Sequence, residues 1–117
     1  MAASAVPGAL SVNSSVMQET GSFGNVRVDF TRMSVLRNGR EIQLTATEFK
    51  LLAYLLQNPE RIITRKELLE MVWGYEADPK TRTVDIHISK LRQKVETDPT
   101  HPMHLRTVHW SGYKFIP

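Results

Sequence analysis

One stretch near the end of the chain combines cations, a hydroxyl, an amide and an aliphatic side chain at helical spacing. Between about Lys80 and Val95, apolar residues recur on one stripe of the predicted helix, and polar residues fall opposite. The polar face carries Arg82, Ile86, Ser89, Lys90 and Gln93, with Arg92 and Lys94 on its flanks. Such side chains suit the major groove of DNA, where cations meet phosphates or guanine edges and an amide pairs with adenine. The alternative is an amphipathic helix whose polar side is only solvated.

A predicted hairpin directly after this helix supplies a second set of polar side chains. Leu105 to Trp110 and Tyr113 to Ile116 have the alternation of two strands, joined at Ser111-Gly112. The hairpin carries Arg106, Thr107, His109 and Lys114. These side chains suit the DNA backbone and a minor groove, so the hairpin favours DNA binding over a merely solvated helix.

The charge distribution indicates the same kind of partner. The 117-residue chain has a net charge of +3, and from Lys80 onward it carries seven basic against three acidic residues. Residues 1–79 carry eight basic against nine acidic residues. A basic end on an otherwise neutral domain indicates an anionic partner on that side.

Other function classes lack the residues that they need. There are no cysteines, which excludes disulfides and thiolate zinc sites. The pair His101 and His104 has no carboxylate or cysteine arranged around it in the sequence, so we expect no metal site. The sequence lacks motifs that enzymes use, such as a serine–histidine–acid pattern or a glycine-rich phosphate loop, so we expect neither catalysis nor a cofactor. No apolar run approaches the ~20 residues that span a bilayer, and we expect a cytoplasmic protein without membrane contact.

The chain is expected to begin with a flexible segment, which a small antiparallel sheet follows. Residues 1–22 are nearly uncharged and aperiodic, which is typical of a flexible tail or linker, so the folded domain is expected at 23–117. Short alternating strands follow as far as Leu44, with Asn38-Gly39 as a hairpin turn because both residues accept a positive φ.

Two further helices are predicted between the sheet and the third helix. Capping-box spacing at Thr45–Glu48 and again at Thr64–Glu67 marks their starts, and Gly74 ends the second. The predicted fold class is therefore α+β: a winged helix-turn-helix with an N-terminal antiparallel sheet, three helices and a C-terminal β-hairpin wing.

Seven short segments between Phe23 and Ile116 are jointly far more specific than any single motif. They are Leu36-Arg-Asn-Gly39, Leu44-Thr-Ala-Thr-Glu-Phe-Lys-Leu-Leu52, Arg65-Lys-Glu-Leu-Leu69, Val72-Trp-Gly74, Arg82-Thr-Val-Asp-Ile-His-Ile88, Leu91-Arg92 and Gly112-Tyr113. In their order and spacing the sequence resembles the DNA-binding effector domain of OmpR/PhoB-type response regulators. The resemblance implies sequence-specific binding of double-stranded DNA for transcriptional regulation in a two-component phosphorelay.

The resemblance also implies roles for individual residues. The third helix becomes the recognition helix, with Ser89 and Lys90 where base-contacting side chains lie. Positions that typically hold phosphates are occupied by Arg82, His87, Arg92, Trp73 and Tyr113. The loop from Gly74 to Lys80, which includes Tyr75, Glu76 and Asp78, corresponds to a segment that contacts RNA polymerase in activators.

The assembly implied by the family is a monomer that binds direct repeats as a head-to-tail dimer, driven by a phosphorylated receiver domain. The uncharged N-terminal segment suits a linker from such a receiver and equally suits a free tail. A different function class stays open, namely a winged-helix protein-interaction module that contacts RNA polymerase or another regulator.

The wing departs from the family pattern, which commonly has Val-Arg-Gly-x-Gly-Tyr. Here the segment is Val108-His-Trp-Ser-Gly-Tyr113, so His109 stands in place of a fixed cation and Trp110 in place of a glycine. The indole could stack on a sugar or pack back on the domain. Structural roles are also open for Trp73, His87 and Tyr113, which could serve packing alone.

Overall fold

The computed structural model describes residues 19–74 and 82–117. Its elements are β1 (Thr20–Phe23), β2 (Val26–Asp29), β3 (Ser34–Arg37), β4 (Arg40–Ile42), α1 (Ala46–Leu56), α2 (Arg65–Leu68, continued by a π-helical turn over Leu69–Trp73), α3 (Arg82–Val95), β5 (Leu105–Val108) and β6 (Gly112–Phe115). Within these two ranges, a four-stranded antiparallel sheet, three helices and a two-stranded wing thus follow one another. The predicted winged helix-turn-helix is confirmed.

The N-terminal sheet is a meander in the order β1-β2-β3-β4. Asn38 and Gly39 form the predicted hairpin turn, with φ of 54° and 78°. The sheet begins at Thr20 instead of near Phe23, because the segment Thr20–Phe23 pairs along its whole length with β2. Sequence patterning missed this start since Gly21 and Ser22 give no apolar alternation, and backbone pairing alone defines the strand. The last strand ends at Ile42, two residues before the predicted end.

Helix α1 begins with a complete capping box. The Thr45 hydroxyl accepts from the Glu48 N–H (3.1 Å), and the Glu48 carboxylate accepts from the Thr45 N–H (2.9 Å), as the spacing predicts. At α2 only half of the box forms, through the Thr64 hydroxyl and the Glu67 N–H (3.0 Å). The Glu67 carboxylate instead accepts from Arg61 Nη2 (2.7 Å), because a charged guanidinium is a stronger donor than a backbone amide.

The core joins the helices to both sheets. The apolar stripe of α3 is buried as predicted, and it consists of Val84, Ile88, Leu91 and Val95. It belongs to one cluster with Leu52 and Leu55 of α1 and with Leu105 and Phe115 at the base of the wing. The wing and α3 therefore share a hydrophobic core, which fixes their positions relative to each other.

A backbone bridge attaches the wing to the segment before α2. The N–H of Ile63 donates to the Tyr113 carbonyl (2.8 Å), and the N–H of Tyr113 donates to the Ile63 carbonyl (2.9 Å). Gly112 makes this approach possible, because a Cβ at that position would lie 2.1 Å from the Ile63 carbonyl oxygen. Its φ of 152° is also one that L side chains rarely adopt.

Replacing Gly112 by alanine should lower the free energy of unfolding by on the order of 3 kcal/mol, from steric overlap plus backbone strain. The matched control is Gly39→Ala, since Gly39 also has a positive φ but no atom within 4 Å of the point where an alanine methyl group would lie. That variant should lose only about 1 kcal/mol. Urea denaturation of both variants measures the difference, and equal losses would show that the close approach to Ile63 is unimportant.

Candidate nucleic-acid interface

Helix α3 presents one polar face to solvent. The exposed residues are Arg82, Ile86, Ser89, Lys90 and Gln93, which are the residues that the sequence placed opposite the buried stripe. Lys94 is turned away from this set, because its ammonium group donates to Glu48 Oε1 of α1 at 2.7 Å. Burial by itself would raise the pKa of Glu48, but the hydrogen bonds from Lys94 and Thr45 outweigh it and lower that pKa.

One carboxylate oxygen connects three elements of the interface. Asp85 Oδ1 on α3 accepts from Arg65 Nε on α2 (2.7 Å) and from the hydroxyl of Tyr113 on β6 (2.5 Å). The Asp85 carboxylate thus pairs with a cation inside the domain. Both helices of the helix-turn-helix and the wing are thereby tied at a single point.

Tyr113 has the packing role that the sequence left open. It is only 4% exposed, and the guanidinium groups of Arg65 and Arg92 lie 5.2 and 5.6 Å from its ring centroid. Burial, together with the hydrogen bond to Asp85, raises the pKa of Tyr113 to about 12. The hydroxyl is thus a permanent donor to Asp85 at any physiological pH.

Arg92 attaches α3 to the first strand of the wing. Its Nε and Nη2 donate to the Leu105 carbonyl at 2.9 and 2.7 Å, and Nη2 also donates to the Thr107 hydroxyl at 2.8 Å. Burial lowers the pKa of Arg92, and the negative charges of neighbouring groups act against that shift. Two nitrogens of Arg92 thus donate to the wing. This residue, for which the sequence predicts a phosphate contact, already holds the wing against α3 in the free domain.

Glu96, which sequence patterning missed, holds the chain between α3 and the wing. It is 2% exposed, and its carboxylate accepts three backbone N–H groups, from Met103 (2.9 Å), His104 (3.0 Å) and Leu105 (2.7 Å). Arg37 of β3 donates to the carbonyls of Lys94 and Glu96 (3.0 and 3.1 Å) and so caps the end of α3. Glu96 binds backbone groups, and the partners of Arg37 lie 57 and 59 residues away in the chain. A local sequence pattern therefore cannot predict these contacts.

A second missed residue, Arg65, did leave a signal in the sequence. It is a cation in the first turn of α2, where the helix dipole disfavours positive charge. A cation at such a position indicates an acidic partner elsewhere, which here is Asp85.

Trp73 and His87 meet at the junction of α2 and α3. Both are half-buried, and their rings form an edge contact with centroids 5.0 Å apart. His87 Nδ1 lies 2.9 Å from the Thr83 carbonyl, which can only accept, so Nδ1 carries the proton. Gly74 ends α2 as predicted, with its N–H directed at the carbonyls of Leu69 and Glu70. The predicted polymerase-contact residues Tyr75, Glu76 and Asp78 lie outside the described residues.

The outer part of the wing carries exposed side chains. Thr107 and His109 are exposed, and Trp110 at the tip is 92% exposed. The wing therefore offers polar groups along β5 and a large apolar group at its end.

The two histidines with metal-like spacing have other partners. His101 Nδ1 lies 3.1 Å from Asp98 Oδ2, and His104 Nδ1 lies 2.8 Å from the Ile116 carbonyl. Across residues 19–74 and 82–117, no three side chains of metal-binding type come together. In the same ranges, none of the helices has the length and apolar character required to cross a bilayer.

The hydroxyl of Tyr113 should titrate last among the tyrosines. The folded protein keeps this proton until about pH 12, against the ordinary value of 10, so the contribution of Tyr113 to the free energy of unfolding should fall as pH rises through this window and stay constant below it. Asp85→Asn should lower the pKa of Tyr113, because the charged acceptor is gone while burial remains. Absorbance titration of phenolate measures this, and Tyr113→Phe should remove the last step. If Tyr54→Phe removed it instead, the assignment would be wrong.

Comparison with known proteins finds relatives over most of the described chain. A family model described as "Transcriptional regulatory protein, C terminal" matches residues 39–115. The sensory transduction protein RegX3 of Mycolicibacterium smegmatis is 46% identical over 91 residues, and the DNA-binding response regulator MtrA of the same species is 45% identical over 96 residues. These alignments cover 78% and 82% of this chain but 40% and 42% of the relatives. The chain thus spans about two-fifths of the length of these relatives.

Solved structures give the same result for the fold. The Klebsiella pneumoniae RstA DNA-binding domain, crystallised in complex with the RstA box, superposes with a TM-score of 0.75 at 32% identity, over 85% of this chain and 98% of that one. The response regulator DrrB of Thermotoga maritima, an OmpR/PhoB homolog, superposes with a TM-score of 0.77 at 33% identity, over 85% of this chain and 45% of that one.

Proposed function

This chain belongs to the family of C-terminal domains of transcriptional regulatory proteins, the DNA-binding effector domains of OmpR/PhoB-type response regulators, and from that premise we propose how it contacts DNA. Helix α3 enters the major groove of a specific duplex site, and the β5–β6 wing follows the backbone into the adjacent minor groove. The observation that carries this proposal is the exposed polar face of α3, which is fixed to the wing through Asp85 and Arg92.

Base recognition is assigned to the middle of the exposed face. Lys90 forms no hydrogen bond or ion pair with the described residues and is exposed, so its ammonium group is available to guanine O6 and N7. Ser89 and Gln93 are exposed beside it and can contact further base edges. Arg82, at the start of the helix, is assigned to a phosphate.

The other residues predicted to contact DNA fall into two groups: some are assigned to DNA, and some to holding the wing in place. Thr107 and His109 are exposed on the wing and are assigned to the DNA backbone near the minor groove. The Thr107 hydroxyl accepts from Arg92 and can still donate its own proton to a phosphate. Arg92 and Tyr113 are assigned to holding the wing, because two guanidinium nitrogens of Arg92 donate to β5 and the Tyr113 hydroxyl donates to Asp85. His87 donates through Nδ1, so its Nε2 can donate to a phosphate only in the doubly protonated ring, with Trp73 supporting that ring from the side.

The wider assembly is proposed from the relatives. RegX3 and MtrA are more than twice as long as the matched segment, which leaves room in those proteins for a further domain. We infer that this chain acts with a receiver domain in a two-component system, binds direct repeats as a head-to-tail dimer, and is otherwise monomeric. The loop from Gly74 to Lys80 is assigned to contact with RNA polymerase, and the site of action is the nucleoid in the cytoplasm.

Selection from a random-duplex pool at about 150 mM salt, where non-specific phosphate binding is weak, tests DNA recognition directly. The wild-type chain should enrich a directly repeated motif. Lys90→Ala should weaken binding to that motif by ~1–3 kcal/mol and relax specificity at one base pair, because one base contact is lost. Its free energy of unfolding should not change, since Lys90 is exposed.

The matched control is Lys50→Ala, which removes an exposed lysine from α1 instead of α3. It should bind the enriched motif about as tightly as the wild type does. Equal losses for both variants would mean that Lys90 acts only through net charge. Binding to a protein partner that tolerates high salt, with no duplex enriched, would favour the protein-interaction module instead.

A further inference from the structure

The tip of the wing carries a large apolar side chain that the domain leaves uncovered. Trp110 lies between β5 and β6, and 92% of its surface is exposed. Its ring makes an edge contact with His109, which is itself exposed, and the ring centroids are 5.0 Å apart. The sequence left two options for this indole, and its exposure excludes packing back on the domain.

Trp110 also has a backbone conformation that bulky residues avoid. Its φ of 66° lies in the left-handed region, which glycine and asparagine usually occupy in tight turns. The turn is closed by a hydrogen bond from the Ser111 N–H to the Val108 carbonyl (2.9 Å), so the hairpin backbone imposes this conformation. Strain and uncovered apolar surface occur together at one residue, and neither is offset by burial of the indole in the domain.

The position of this side chain follows from the base of the wing. Arg92 binds the Leu105 carbonyl and the Thr107 hydroxyl, so β5 leaves α3 in a fixed direction. With the exposed face of α3 in a major groove, as in the proposed function on which this inference rests, the hairpin tip lies toward the neighbouring minor groove. The walls of that groove are deoxyribose rings, which offer an apolar surface.

We propose that Trp110 enters the minor groove and packs its indole against the deoxyribose walls, as an apolar contact at the tip of the wing. An apolar side chain in the minor groove gains affinity because its surface leaves water. Any widening or bending of the duplex costs free energy, which the added contacts must offset. It neutralises no phosphate and releases no counterion, so its contribution does not depend on salt. Trp110 therefore differs in kind from Arg82, whose proposed contact is electrostatic.

Two substitutions separate this role from a structural one. Trp110→Gly removes the indole and also relieves the left-handed strain, so it should raise the urea midpoint while weakening binding to the enriched duplex about five- to tenfold. The salt dependence of binding should keep the wild-type slope. Trp110→Phe keeps an aromatic ring and the strain, and should bind within about threefold of the wild type. A purely structural tryptophan would move stability and affinity in the same direction.

Iodide quenching supplies the second measurement. The chain has two tryptophans, and the emission of Trp110 is the difference between the wild type and Trp110→Phe. This emission should be quenched by iodide in the free protein and protected on a duplex with a single half-site. The inference is overturned if Trp110→Gly binds as tightly as the wild type, or if the indole stays accessible in the complex.

Two further outcomes are also decisive. Protection that appears only on two adjacent half-sites would assign Trp110 to contact between copies of this chain, which contradicts the inference. If an accessible Trp110 is found together with Lys90-dependent binding, the inference alone fails. If no duplex is bound in a Lys90-dependent way, the proposed function fails with it.

Discussion

The hydrogen bonds at Asp85 are the constraint on which the rest of the interface depends. A single oxygen accepts from Arg65 and Tyr113, and so fixes α2, α3 and β6 relative to one another. Two other residues also fix the wing relative to α3. Arg92 binds the start of the wing, and buried Glu96 holds the chain that leads into it. Since these polar groups are partly or fully buried, losing one partner would leave another unsatisfied, which is costly.

The proposed contact of a small domain with two grooves requires this rigidity. A recognition helix places its side chains in the major groove with a tolerance below an ångström, and a wing contributes only if its angle to that helix is set in advance. Here the shared core and the Gly112–Ile63 contact set the position of the wing, and the hydrogen bonds of Asp85 and Arg92 set its direction. The residues that we propose for DNA contact are mainly those without such structural roles, above all Lys90 and the wing tip.

Sequence patterns predicted the elements that depend on local spacing. The buried stripe of α3, the capping box at Thr45 and the Asn38-Gly39 turn are all set within a few residues, and all are confirmed. The residues that hold the site together were harder to predict from the sequence. Glu96 accepts from backbone amides, and Arg37 donates to a carbonyl 57 residues away in the chain. Strand β1 escaped for a related reason, since backbone pairing and not side-chain alternation defines it.

In the proposed complex, α3 and the wing occupy adjacent grooves of one duplex as a fixed unit. Dimethyl sulfate footprinting tests it in one experiment, because the reagent methylates guanine N7 in the major groove and adenine N3 in the minor groove, two atoms on opposite edges of the base pairs. Both atoms should be protected in each half-site, at a constant offset from each other. Protection of guanine N7 with adenine N3 fully reactive throughout the site would contradict it.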